Sequence, residues 1–203
     1  MNKQIYNIFT VISFALLIAS PGRFAFGLII CAELFFLAIC GLVVSALLEK
    51  LNLNQFKSIL TIITLIFSTI LYKQIIMWLF PLIALQLSFV FYLPAITSYM
   101  IGMIYKNDSK IKISENIKII SFFSIFALVF YLIRDILGFG SFTFPTLNGI
   151  FEIILFNSKT LSWSVFFASM PGALFLVTVS ILVFVCIQNK FNIIERIGDE
   201  NDS

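Results

Sequence analysis

The run ILTIITLIFSTILYKQIIMWLFPLIALQLSFVFYLPAITSYMIGMIY, residues 59–105, contains a single charged side chain, Lys73. Wound as one α-helix it would be about 70 Å long, more than twice the ~30 Å hydrocarbon core of a bilayer. It must therefore reverse direction. The reversal belongs at Trp78–Pro81, where a proline that cannot continue a helix follows a tryptophan suited to the lipid–water interface. That division gives one span over about 57–78 and another over about 82–104.

Working outward from this run, the whole chain has the same character. Of its 203 residues 61% are hydrophobic and 11% charged, against about 25% charged in soluble domains, so an all-α integral membrane protein is expected. Six transmembrane helices are expected, over about 4–19, 24–48, 57–78, 82–104, 117–137 and 164–188, forming one membrane domain over residues 1–203. The first stretch is read as a retained span because no small-residue cleavage motif precedes Arg23.

With six spans both termini share one side. That side carries nine of the thirteen basic residues: Lys3, Lys50, Lys57, Lys106, Lys110, Lys112, Lys118, Lys190 and Arg196. The other carries Arg23, Lys73, Arg134 and Lys159. Positive charge marks the cytoplasm, so both termini are expected there. The polar stretch YKNDSKIKISENIK, 105–118, is then a cytoplasmic loop lying on the lipid surface. A net charge of +3 is too small to imply a nucleic-acid partner. Histidine is absent, which removes the commonest proton carrier near neutral pH. Cys31, Cys40 and Cys186 sit singly in apolar runs and read as lipid- or core-facing thiols.

Two segments break the helix rule. The first is short and ends at Pro21-Gly22; the fourth carries Pro94, then Thr97-Ser98-Tyr99 and Gly102. Broken backbone survives in a bilayer only where protein or a wet cavity satisfies it. Interrupted segments at matching positions of two halves point to an inverted repeat with a site near the midplane. An inverted 3+3 repeat with discontinuous helices 1 and 4 is expected; the alternative is two ordinary kinked helices. LLEKL (47–51) faintly echoes LIRDI (132–136) at the ends of spans two and five.

Glu33 is the one carboxylate clearly inside a span. Such a charge costs about 2.5–3.5 kcal/mol on insertion scales and usually faces a partner or a pathway. Lys73 is the expected partner. A neutral Glu33 bonded to backbone, or a role in ion or proton passage, are the alternatives. In RDILGFGSFTFP, 134–145, Arg134 lies on the outer side, where arginine is disfavoured, and so needs a fixed partner. Asp135 does not qualify, since adjacent helical residues do not face each other. Gly138 reads as a left-handed helix cap, or, with Gly140, as a close backbone approach to another helix or a sister subunit.

Four stretches carry a family resemblance: LIRDILGFGSF (132–142), ASMPGALFLVTVSILV (168–183), YLPAITSYMIG (92–102) and, more weakly, FGLIICAEL (26–34). They resemble, in order, motifs of the paired six-helix membrane subunits of the Rnf and sodium-pumping Nqr electron-transport complexes. The branch most like this chain is that of the E subunit of Rnf and the D subunit of Nqr. The match includes Pro171-Gly172 at the start of span six and Pro94 in the fourth segment. The resemblance implies a bacterial cytoplasmic (inner) membrane protein packed against a sister six-helix subunit of opposite orientation and other subunits of the complex. It also implies an iron–sulfur cluster held between the sisters by cysteines of the first and fourth helices, and flavin in partner subunits. Here the ligand positions fall on Met100, or its neighbour Tyr99, and around Val11 to Ser13, none a cysteine. Iron–sulfur clusters are held by thiolates, so no cofactor is expected on this chain alone. The expected function is a membrane subunit of an ion-translocating electron-transport complex, never an autonomous enzyme. A cluster-less transporter component on the same fold, or a non-catalytic scaffold, are the alternatives.

Overall fold

The computed structural model describes residues 16–51, 56–105, 113–147, 149–156, 162–183 and 186. Residues 16–19 are helical and stop at Ser20-Pro21-Gly22. Then follow α1 (Phe24–Lys50), α2 (Lys57–Leu79), α3 (Pro81–Gln86), α4 (Tyr92–Tyr105) and α5 (Ile113–Phe139). A hairpin of β1 (Ser141–Thr146) and β2 (Gly149–Ile154) comes next, then α6 (Ser162–Ala168) and α7 (Met170–Val183).

Three helices among the described residues are long and apolar enough to cross a membrane: Phe24–Leu48, Lys57–Leu79 and Ile120–Phe139. They correspond to the second, third and fifth expected spans, and the mostly helical chain is consistent with a membrane protein. The break in the opening run falls where proline demands it. The Phe80 N–H still closes onto the Ile76 carbonyl at 2.6 Å, but Phe80 itself turns to φ −136° and ψ 68°, and Pro81 starts α3. The residue before a proline is pushed out of helical geometry by the ring's Cδ.

The fourth segment is interrupted, as its reading as a discontinuous helix expects, and the sixth is interrupted where one continuous span was expected. Residues 82–104 are two helices, α3 and α4, separated by the turn 87–91. The interruption precedes Pro94, which sits buried in the first turn of α4, where the missing N–H costs nothing. Residues 164–188 are likewise divided at Ser169, between α6 and α7. Most of the first segment, 4–19, lies outside the described residues.

The expectation of an all-α chain is corrected by the hairpin. β1 and β2 pair antiparallel, Phe142 opposite Ile153 and Thr143 opposite Glu152, closing around Thr146 and Gly149. FTFPT and GIFEII are short runs of aromatic and β-branched residues, which favour a pleated, half-buried surface over a helix. An isolated two-stranded hairpin is marginal in water, and this one is held against the helix ends. The Phe142 ring stacks 4.9 Å from Phe24 and 4.6 Å from Phe144, and β2 touches α3.

Helix α1 is the centre of the fold, contacting α2, α4 and α5. It runs antiparallel to α5: Gly27 meets Tyr131, and further along Cys31 meets Ser124. It also runs antiparallel to α2, since Ile29 is joined to Tyr72 and Leu37 packs on Leu65. Lipid supplies no hydrophobic drive between helices, so close packing through small residues has to. At Gly27 the glycine is required, because an added Cβ would overlap the Tyr131 ring. The outer surface of α2 is a sheath of Ile59, Ile63, Phe67, Ile70 and Trp78, all exposed, as lipid-facing side chains are.

Candidate functional site

Two buried polar places stand out, one at the end of α5 and one in the middle of α1. At the first, Arg134 is 2% exposed and Asp135 fully buried, yet no salt bridge joins them. The Arg134 guanidinium donates to the Ser20 carbonyl at 2.9 Å and the Leu17 carbonyl at 3.3 Å. It also donates to the carbonyls of Phe167 at 3.4 Å, Ala168 at 3.3 Å and Ser169 at 3.4 Å. Both groups of carbonyls end a helix: residues 16–19 on one side, α6 on the other. Helix C-termini leave carbonyls without intrahelical partners and carry partial negative charge. Arginine's planar fork of five donors can serve two such ends at once.

Asp135 does the complementary work. Its Oδ2 accepts from the Phe24 N–H at 3.1 Å, the Thr143 N–H at 3.0 Å and the Thr143 hydroxyl at 2.6 Å. Thr143 Oγ1 in turn accepts from the Ala25 N–H at 3.2 Å, and the Ser141 hydroxyl approaches Oδ1 at 3.5 Å. The start of α1 has no Ser, Thr, Asp or Asn just before it to cap its free N–H groups. Asp135 and Thr143 supply that cap from more than a hundred residues away. The neighbouring Tyr131 shares a hydrogen bond with Ser20, tying α5 to the same break.

The expected partner for Arg134 thus exists, and it is backbone. The two glycines divide the roles assigned to them. Gly138 stays helical, and a Cβ there would lie 2.9 Å from the Ala168 nitrogen, so it permits the close approach of α6. The left-handed cap is Gly140, at φ +64°, with its N–H bonded to the Ile136 carbonyl at 3.0 Å. Gly172 plays a packing role of the same kind against the Phe166 carbonyl, and Pro171 stands in the first turn of α7, where helices accept proline.

Glu33 lies at the second place. It is 0% exposed, and neither carboxyl oxygen has a hydrogen-bond partner among the described residues. The expected pair with Lys73 does not form. Lys73 Nζ instead donates to the Ser88 carbonyl at 3.4 Å and lies 5.6 Å from the centre of the Tyr92 ring. The reason is helical phase: Tyr72, one residue earlier, occupies the face toward α1, with its hydroxyl bonded to the Ile29 carbonyl at 2.9 Å. The neighbouring residue is turned by about 100° around the helix, away from Glu33. Cys31 points away from Glu33 by the same rule, toward α5, where its thiol meets the Ser124 carbonyl at 3.6 Å.

The positions where the resemblance would place cluster ligands hold no thiolate. Met100 lies on α4 with its side chain outside the described residues, as do Val11 to Ser13 altogether. The neighbouring Tyr99 has its hydroxyl engaged with Ser58 at 2.8 Å. Thioether, phenol and hydroxyl are not the thiolates that an iron–sulfur cluster requires. The donor set does not fit the group.

No family model, no curated protein and no solved structure matches the chain. Thr143, Ser20 and Tyr131 were not legible as site residues beforehand. The one available signal was Arg134 itself, a buried cation at a span end that had to be answered by something.

Proposed function

We propose that this chain is a membrane subunit of an ion-translocating complex of the Rnf/Nqr type, one that has lost its own cluster ligands. In this reading it has six spans in an inverted 3+3 arrangement, sits in a bacterial cytoplasmic membrane with both termini inside, and pairs with a sister six-helix subunit. The observation that supports it is the double anchor of Arg134. One guanidinium from the fifth segment holds the helix end at 16–20 and the break after α6 at 167–169, in the first and sixth proposed spans. Interrupted helices fixed by buried protein groups are how membrane proteins build translocation sites.

A second reading, a cluster-less transporter component on the same architecture, is favoured by a separate observation. Glu33 is buried and has no hydrogen-bond partner among the described residues, and the residues at the cluster positions do not suit metal. Purification of the tagged chain from its native membrane separates the two. The complex reading expects a second six-helix subunit and flavin-bearing proteins to copurify. A chain that emerges alone, or only with itself, establishes the transporter reading in its place.

A further inference from the structure

The contacts of α1 locate Glu33 closely. Ile29, Glu33 and Leu37 are spaced by four and share one face of the helix. At one end of that stripe Tyr72 binds the Ile29 carbonyl; at the other Leu37 packs with Leu65 and Ala95. Glu33 is midway, about 6 Å along the axis from each, which sets it level with Ser68 and Thr69 of α2. Both of these are buried as well.

Among the described residues, no group at that level is hydrogen-bonded to either Glu33 carboxyl oxygen. The Thr69 hydroxyl donates to the Leu65 carbonyl at 2.9 Å and the Tyr72 hydroxyl to Ile29, so their protons are committed to backbone. Several other ionisable groups on the surrounding helices are engaged elsewhere. On α2, Lys73 holds the Ser88 carbonyl; on α4, Tyr92 lies under Lys73 and Tyr99 bonds Ser58. On α5, Tyr131 bonds Ser20 and Arg134 holds the five carbonyls, while Cys31 of α1 faces Ser124. An ionised carboxylate enclosed in apolar packing without a partner is very costly, whereas the neutral acid is tolerated. A hard metal cation would need about six oxygen ligands, and among the described residues no hydroxyl comes within hydrogen-bond distance of the Glu33 carboxyl.

We propose that Glu33 is a proton-binding site, filled in this closed packing and emptied when water reaches it. On emptying, the carboxyl O–H bond breaks, the electron pair stays on the carboxylate, and the proton passes to water. The inference deepens the translocation reading by naming the charge carried, and rests on it only for the transport consequence.

The test uses the full chain in detergent and dicyclohexylcarbodiimide, which adds to carboxylic acids in apolar surroundings and not to hydrated carboxylates. One adduct is expected, mapping to the peptide that contains Glu33, lost in Glu33→Gln, and forming more slowly as pH rises. If Glu33→Gln does not fold, the peptide map and pH dependence of the unaltered chain decide alone. No adduct on Glu33 at any pH overturns the proposal. So does protection by sodium, but not by choline, at constant pH, since that would make the site a metal-cation site. Proton flux is then measured in vesicles carrying the complex and a trapped pH dye. An adduct on Glu33 without flux upholds the site and removes the translocation reading instead.

Discussion

Arg134 and Asp135 are consecutive residues of one helix that bind opposite ends of other helices. The guanidinium collects carbonyls from the C-terminal ends of residues 16–19 and of α6, while the carboxylate collects N–H groups at the N-terminal end of α1. Each charge therefore meets the helix pole of opposite sign. Together the pair adds no net charge to the buried layer, and the two side chains need not touch. Two adjacent residues thus join the stretch around 17–24 to the distant stretch 167–169.

Substituting Arg134 tests that anchor. Arg134→Ala strands carbonyls from two helix ends in a buried layer, and removing one side of a buried charged interaction costs about 3–5 kcal/mol. Arg134→Lys keeps the charge but offers a single point of donation, which cannot reach both ends. Thermal unfolding in detergent should rank the native protein above Arg134→Lys and that above Arg134→Ala. Insertion, measured by membrane fractionation, should be unchanged. A native melting profile for Arg134→Ala would show that the carbonyls are satisfied without it.

The carboxylate side is tested at Thr143. Thr143→Val keeps the shape but removes both the 2.6 Å donor to Asp135 and the acceptor of the Ala25 N–H. Leaving buried polar groups unsatisfied costs about 1–3 kcal/mol each. Because Asp135→Asn disturbs the same cap, the two substitutions should be clearly less than additive in a double-mutant cycle on detergent unfolding. Strict additivity would mean that the two side chains act separately.

Legibility followed the range of the interactions. The ends of α2 and the start of α3 could be read from 59–105, because proline and tryptophan act locally. The fate of Arg134 could be read only as a demand, since the carbonyls of Ser20 and Ala168 lie far away in sequence. The hairpin escaped because FTFPT and GIFEII are too short to separate from a greasy loop by pattern alone. Glu33 stands out in the sequence as a carboxylate inside a span, but its expected pairing with Lys73 does not form. Helical phase prevents it, turning Tyr72 toward α1 and Lys73 toward Ser88.

At the hairpin's edge, Arg23 and Glu152 form an ion pair of 3.3 Å with side chains 27% and 37% exposed. Pairs this open to solvent contribute about 0.2–1 kcal/mol. Glu152→Gln should therefore barely change unfolding, and less still at high salt. Arg23→Ala should cost more, because its guanidinium also lies 4.8 Å from the centre of the Phe139 ring, a contact that salt screens less. Equal effects of the two substitutions would assign the whole contribution to the ion pair.

The two glycines of α1 that face other helices make opposite predictions. At Gly27 an added Cβ would overlap the ring of Tyr131, which is fully buried and held through its hydroxyl by Ser20. The ring cannot retreat without breaking that bond, so Gly27→Ala forces α1 and α5 apart, at a typical overpacking cost of about 1–3 kcal/mol. At Gly41 the nearest atom to a new Cβ is Leu65 Cδ2 at 3.6 Å, an ordinary contact with the end of a flexible side chain. There the alanine relieves the backbone entropy of a mid-helix glycine, a gain of roughly 0.5–1 kcal/mol. Gly27→Ala should lower the detergent melting temperature and Gly41→Ala should raise it slightly. If Gly27→Ala were tolerated as well as Gly41→Ala, the close crossing of α1 and α5 would be wrong, and with it the route by which Ser20, Tyr131 and Arg134 come together.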